Sequence, residues 1–134
     1  MATGQAYPSR KSVPSITEVI GRWKGGGAAA NCTRAAGEWS AGISSVNYNG
    51  ATGKYRITFT DVPGQQLVSF CLEVGRATGV TNALKVKVVE GSYSIANKTI
   101  DIEICDLATP TGVDLATTDR LYVRLSFASF PPNS

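Results

Sequence analysis

Five stretches of this chain place a large apolar residue at every second position, and that period constrains the fold more than any other feature of the sequence. The clearest is Lys54 to Thr60, KYRITFT, where Tyr55, Ile57 and Phe59 alternate with Arg56, Thr58 and Thr60. Successive side chains of an extended strand point to opposite faces, so this pattern specifies one dry face and one wet face. The same alternation returns in Val68, Phe70, Leu72 and Val74, in Leu84, Val86 and Val88, in Ile100, Ile102 and Ile104, and in Leu121, Val123, Leu125 and Phe127. Two further strands precede these. Val19, Gly21 and Trp23 alternate with Ile20, Arg22 and Lys24, and a capping-box spelling at Ser15 to Glu18 is overruled by the glycines that follow too soon for a helix. Ile43, Val46 and Tyr48 read as a strand with a bulge.

About seven strands joined by short turns, with no helical period between them, predict an all-β fold: an antiparallel β-sandwich, jelly-roll-like. The turns carry suitable residues, Pro63-Gly64 and Asn49-Gly50 among them. The longest interruption is Leu107 to Thr118, where Pro110 and Gly112 exclude a regular strand. Gly25-Gly26-Gly27 and the alanines behind it lack the lysine and hydroxyl spacing of a phosphate loop and read as a flexible or closely packed link. Residues 1 to 16 have no period and contain Pro8 and Pro14; they read as an extended arm, with a sandwich domain over 17–130 and a short tail at 131–134.

Charge is unevenly placed. The 134 residues carry a net +3, but residues 1 to 36 hold five basic groups and one acidic group, so the basic character belongs to the leading segment. That asymmetry makes Arg10, Lys11, Arg22, Trp23 and Lys24 the candidate partner-binding residues, directed at an acidic protein surface. Only one aromatic is interleaved with them, which does not suit a single-strand nucleic-acid groove. The N-terminus lacks the apolar core of a signal peptide, and no apolar run approaches the ~18 residues of a membrane span; synthesis in the cytoplasm is expected.

The inventory for chemistry is thin. There is no histidine, which removes the usual general base and the commonest metal ligand. Asp101 and Glu103 lie on one face of a strand, spaced as a glycosidase pair can be, but sit among lysines and arginines as sheet residues do. Asp106, Asp114 and Asp119 surround the long loop without a calcium-loop spacing. Cys32, Cys71 and Cys105 are an odd number outside any metal motif, and read as reduced thiols unless Cys71 and Cys105 fall on neighbouring strands. No catalytic residue, metal or cofactor is expected. Trp23, Trp39 and Tyr48 are the aromatics able to floor a sugar site.

The order EVIGRWKGGGAAANCTRAAGEWSAGISSV, YNGATGKYRITFTDVPG, LEVGRATG and VVEGSYSIANKTIDIEICDLATPTGVDLATTDRLYVRLSF resembles small virion structural proteins of tailed bacteriophages. The likeness spans most of residues 17 to 128 and centres on Gly53, Tyr55, Thr58, Phe59, Thr60 and Asp61. It implies a head decoration or cement protein, or a domain of a head or tail fibre. Such proteins are commonly homotrimers on the lattice of the major capsid protein. The expectation is therefore a virion protein on the capsid surface, not an enzyme. Its alternative is a receptor- or carbohydrate-binding fibre domain.

Overall fold

The computed structural model of the chain describes residues 15–35 and 37–130. Among them are eight strands and no helix: β1 (Ser15–Lys24), β2 (Ser40–Ala41), β3 (Ile43–Tyr48), β4 (Lys54–Phe59), β5 (Gln66–Gly75), β6 (Leu84–Val88), β7 (Thr99–Asp106) and β8 (Arg120–Ser129). They pair antiparallel into two four-stranded sheets, β2-β1-β8-β5 and β3-β4-β7-β6. The expected antiparallel β-sandwich is what the chain forms, and the strand beyond the expected seven is the two-residue β2. β1 begins at Ser15, within the stretch read as an arm, and residues 1–14 lie outside the described residues.

Consecutive strands repeatedly change sheet, at β2 to β3, β4 to β5, β5 to β6 and β7 to β8, which gives the jelly-roll character. The first of these crossings turns on Gly42, whose φ of 86° is open to glycine at little cost. A Cβ there would also lie 2.6 Å from Val19 Cγ1. The expected bulge of β3 is present, between Ile43 and Ser45.

The core is the sum of the dry faces of the central strands. Tyr55, Ile57 and Phe59 of β4 and Ile100, Ile102 and Ile104 of β7 meet Leu121, Val123, Leu125 and Phe127 of β8, all buried. At one end Phe59, Phe127 and Tyr93 pack edge to face or tilted, with centroids 4.9 to 6.2 Å apart. The wet face of the second sheet is laced by ion pairs. Arg56 holds Asp101 at 2.7 Å, and Lys54 and Lys87 share Glu103 at 3.6 and 3.0 Å. The arginines of β8 belong to the other sheet and do not join this ladder.

The long loop after β7 is an ordered part of the body. Leu115 is fully buried, and its backbone N–H donates to the Tyr55 hydroxyl at 2.8 Å. Burial pushes the Tyr55 phenol up to about 12, so it remains neutral. The Asp114 carboxylate accepts from the backbone N–H of Ala29 and of Gly53, at 2.9 and 2.8 Å. The glycine run packs on this loop: Gly25 N–H donates to the Asp119 carbonyl, and a Cβ on Gly25 would collide with the Ala116 carbonyl oxygen. Of the two readings of that link, close packing is the one realised at Gly25.

Candidate functional site

β2 and β3 stand at one side of the sandwich, and β5 and β6 at the other. β5 and β6 are the edge strands of their sheets there; among the described residues each hydrogen-bonds to one neighbouring strand, β8 and β7 respectively. The register of β5 on β8 sets Phe70 opposite Leu125, Leu72 opposite Val123 and Val74 opposite Leu121, so these β5 side chains carry the parity of the core. They do not reach its interior. Phe70 is 54% exposed, and Leu72 and Val74 are half-buried.

Val68 corrects the strand reading directly. The pairing slips between Leu67 and Ser69, which makes Val68 the extra residue of a bulge; Leu67 takes the inward place and Val68 stands 49% exposed. Facing β5 across the gap are Leu84, Val86 and Val88 of β6, all half-buried. Two hollows follow from this arrangement. One, of about 520 Å³, is bounded by Leu67, Phe70, Val88 and Tyr93. The other, of about 420 Å³, is bounded by Leu72, Val74, Leu84, Val86, Leu107 and Tyr122. Tyr93 props the first by donating its hydroxyl to the Gly64 carbonyl.

The two edges differ in chemistry. β6 alternates Lys85 and Lys87 with its apolar residues, the charge pattern that keeps an edge from pairing with other chains. β5 is ten residues long with Glu73 as its one charged side chain. An edge that long, apolar and weakly charged is a template for an added strand.

The residues singled out from the sequence fall in different places. Arg10 and Lys11 lie outside the described residues. Arg22 and Lys24 are on the outer face of β1 and reach the solvent. Trp23 does not: it is 4% exposed and packs in the core with Val19, so its assignment as a partner contact is corrected by the parity of its own strand. Tyr48 likewise packs edge to face on buried Tyr55. Trp39 alone of the three candidate sugar-platform aromatics is on the surface, at 63% exposure, beside β1, where its carbonyl accepts the Arg22 N–H.

Around Arg22 the outer face of the first sheet is rich in cations. Its guanidinium lies 5.7 Å from the Tyr122 ring centroid and its Nε 3.4 Å from the Glu38 carboxylate, which Arg120 also holds at 2.8 Å. Burial works to raise the Glu38 carboxyl, but the Ala35 N–H and the two guanidinium groups outweigh it and hold the group below its ordinary value. Arg76, beyond the end of β5, pairs at 3.1 Å with fully buried Asp119. Arg76 and Arg120 come from distant parts of the chain, and no local pattern announces their meeting with Arg22 and Lys24.

The remaining chemical candidates have structural duties. Asp101 and Glu103 are the ion-paired carboxylates described above, and the hydrogen bond from Lys87 is the chief cause that holds Glu103 below the usual carboxylate range. Asp106 accepts from the Ala108 N–H and the Asn82 amide, at 2.8 and 3.0 Å. No three acidic or cysteine side chains among the described residues gather as metal ligands would. The three cysteines are free: Cys71 and Cys105 belong to different sheets, so the neighbouring-strand condition for their pairing fails. Comparison with family models, with curated proteins and with solved structures returns no match for this chain.

Proposed function

We propose that this chain is a structural protein of a bacteriophage virion: a capsid decoration, or cement, protein that binds the lattice of the major capsid protein as a homotrimer and stabilises the head. In this reading it uses neither catalysis nor a cofactor and resides on the capsid surface. The observation that supports it is the β5 edge, a row of apolar side chains beside a strand edge that no described residue pairs with. The likeness of residues 17 to 128 to small virion proteins supports it independently.

The partner chemistry that suits such an edge is an extended, apolar segment of a neighbouring protein laid along β5. Main-chain hydrogen bonds supply attachment and side chains entering the two hollows supply selectivity. Residues 1–14, with Arg10 and Lys11, give the module a second contact with an acidic neighbour. Repetition over a lattice turns modest contacts into large avidity.

The test uses phage heads that lack the protein. Wild-type protein added back should saturate them and co-sediment; Phe70→Glu, which places a charge at the mouth of the groove without touching the buried core, should bind at least tenfold more weakly. A chain lacking residues 1–14, which leaves β1 complete, should fold and bind weakly as well. Saturation by Phe70→Glu at wild-type concentrations refutes the edge as the contact.

One observation favours a second reading, a receptor- or carbohydrate-binding domain of a tail or head fibre: the exposed indole of Trp39, at the end of the sheet where the Trp39 carbonyl accepts the Arg22 N–H. A glycan array separates the two. A fibre domain retains specific sugars through Trp39, whereas a cement protein retains none and follows the heads.

A further inference from the structure

The register of β1 on β8 sets Lys24 directly opposite Arg120, on the outer face of the sheet. Like charges at opposed positions destabilise a strand pair, and sequences ordinarily avoid them. The next residue across the same row is Gly75 of β5, which has no side chain. The row therefore runs cation, cation, gap. Over the gap opens a hollow of about 450 Å³ bounded by Arg22, Lys24, Arg76, Arg120, Thr117 and Thr118, with Tyr122 at its rim.

Four cationic side chains line this hollow, and two carboxylates outside its lining hold three of them. Glu38 is divided between Arg22 and Arg120, and Asp119 is engaged by Arg76. Arg120 also donates to the Thr117 and Asp119 carbonyls, and Arg76 to the Asn82 carbonyl and side chain, so both are fixed in place. Among the described residues, Lys24 is in no ion pair, and Arg22 pairs with Glu38 alone. Two fixed guanidinium groups, two solvent-reaching cations and two threonines line one concave space.

We propose that this hollow is an oxyanion site for a phosphate or sulfate group, bound chiefly by Lys24 and Arg22, with Arg76 and Arg120 as fixed positive background. The ligand chemistry follows from the donors. Guanidinium forks and an ammonium suit a compact dianion with several acceptor oxygens. Glu38 already supplies a counter-charge to Arg120, and a bound dianion would supply one to Lys24 across the same row. The source is a free anion or an ester on a sugar, which share this chemistry. The site lies on the outer face of the first sheet, so its failure would leave the docking edge of β5 untouched.

The experiment is an NMR titration of the full chain with inorganic phosphate, with sulfate and with a sugar phosphate, each balanced by chloride to hold ionic strength constant. Saturable amide shifts centred on Lys24, Thr117 and Thr118 are expected, with millimolar dissociation constants. Lys24→Gln should weaken binding at least fivefold and, in the absence of the anion at low salt, should melt no lower than wild type, because it removes the repulsion with Arg120. Lys54→Gln, on the other sheet, should bind as wild type does. Tighter binding of the sugar phosphate than of phosphate identifies an ester as the source; equal binding identifies the free anion. Shifts that fail to saturate, or equal losses from Lys24→Gln and Lys54→Gln, overturn the site.

Discussion

Replacing Asp119 by asparagine tests whether the long loop is held to the body by the buried ion pair. Asp119 is fully buried, and the Arg76 side chain that faces it is 16% exposed. The pair is doubly bonded, Nε to Oδ1 at 3.1 Å and a terminal nitrogen to Oδ2 at 3.4 Å, and Oδ2 also accepts the Ala116 N–H at 2.9 Å. Removing one partner of a buried pair typically costs ~3–5 kcal/mol, because the other charge is left uncompensated. The substituted amide would keep the size and one acceptor, and Arg76 would keep its bonds to Asn82, so the low end applies, ~3 kcal/mol. A domain of this size gains roughly 0.27 kcal/mol/K of unfolding entropy near its midpoint, which converts that loss into a fall of about 10 °C in Tm. Arg76→Met should cost more, ~4–5 kcal/mol, since it strands a carboxylate without access to water. The double variant buries no lone charge and should be less damaged than the sum of the two by at least ~2 kcal/mol. Urea melts of the four proteins give all the terms. A loss below ~1 kcal/mol in Asp119→Asn, or strict additivity in the double variant, would refute the buried pair as the anchor.

Other consequences are simpler to read. Tyr55→Phe removes the acceptor of the buried Leu115 N–H and should cost ~1–3 kcal/mol in a urea melt, with little change in m. Against a thiol reagent at pH 8 the native protein should show fast reaction at exposed Cys71 and none at Cys32 until it is unfolded; burial pushes the Cys32 thiol up to about 12, and labelling followed by mass spectrometry assigns the sites. The Glu38 carboxyl is held below its ordinary 4.5 in the folded state, so its contribution to stability is complete above that value and is lost as pH falls through the lower folded one. Glu38→Gln should therefore lower stability at pH 7 and lose less than wild type between about pH 5 and pH 3, as followed by thermal melts.

The central strands are legible in the sequence because burial there is decided by period alone. Ile57, Ile100, Ile102, Ile104, Val123 and Leu125 are flanked by strands on both sides, so an inward side chain has nowhere to go but the core. Trp23 is legible for the same reason, its parity with Val19 pointing inward, although its place among basic residues suggests a surface role. β5 is not. Its alternation is as regular as that of β8, yet its exposure depends on being the last strand of its sheet, and the role of Val68 depends on a slip of register against β8. Sheet membership is equally non-local, which is why the relation of Cys71 to Cys105 is decided by strand order and not by spacing. The cationic hollow is the extreme case. Arg76 and Asp119 stand 43 residues apart, and only the two sheet crossings after β5 and β7 bring that pair beside Lys24.

The measurement that bears most directly on the docking edge is amide hydrogen exchange of β5, compared between the free protein and the protein bound to phage heads. The outward amides between Val68 and Val74 have no strand partner among the described residues and should exchange rapidly in the free protein. On the head they should become protected, and the inner amides of β8 should change little. Protection confined to other surfaces, with β5 exchanging as fast on the head as in solution, would contradict the account.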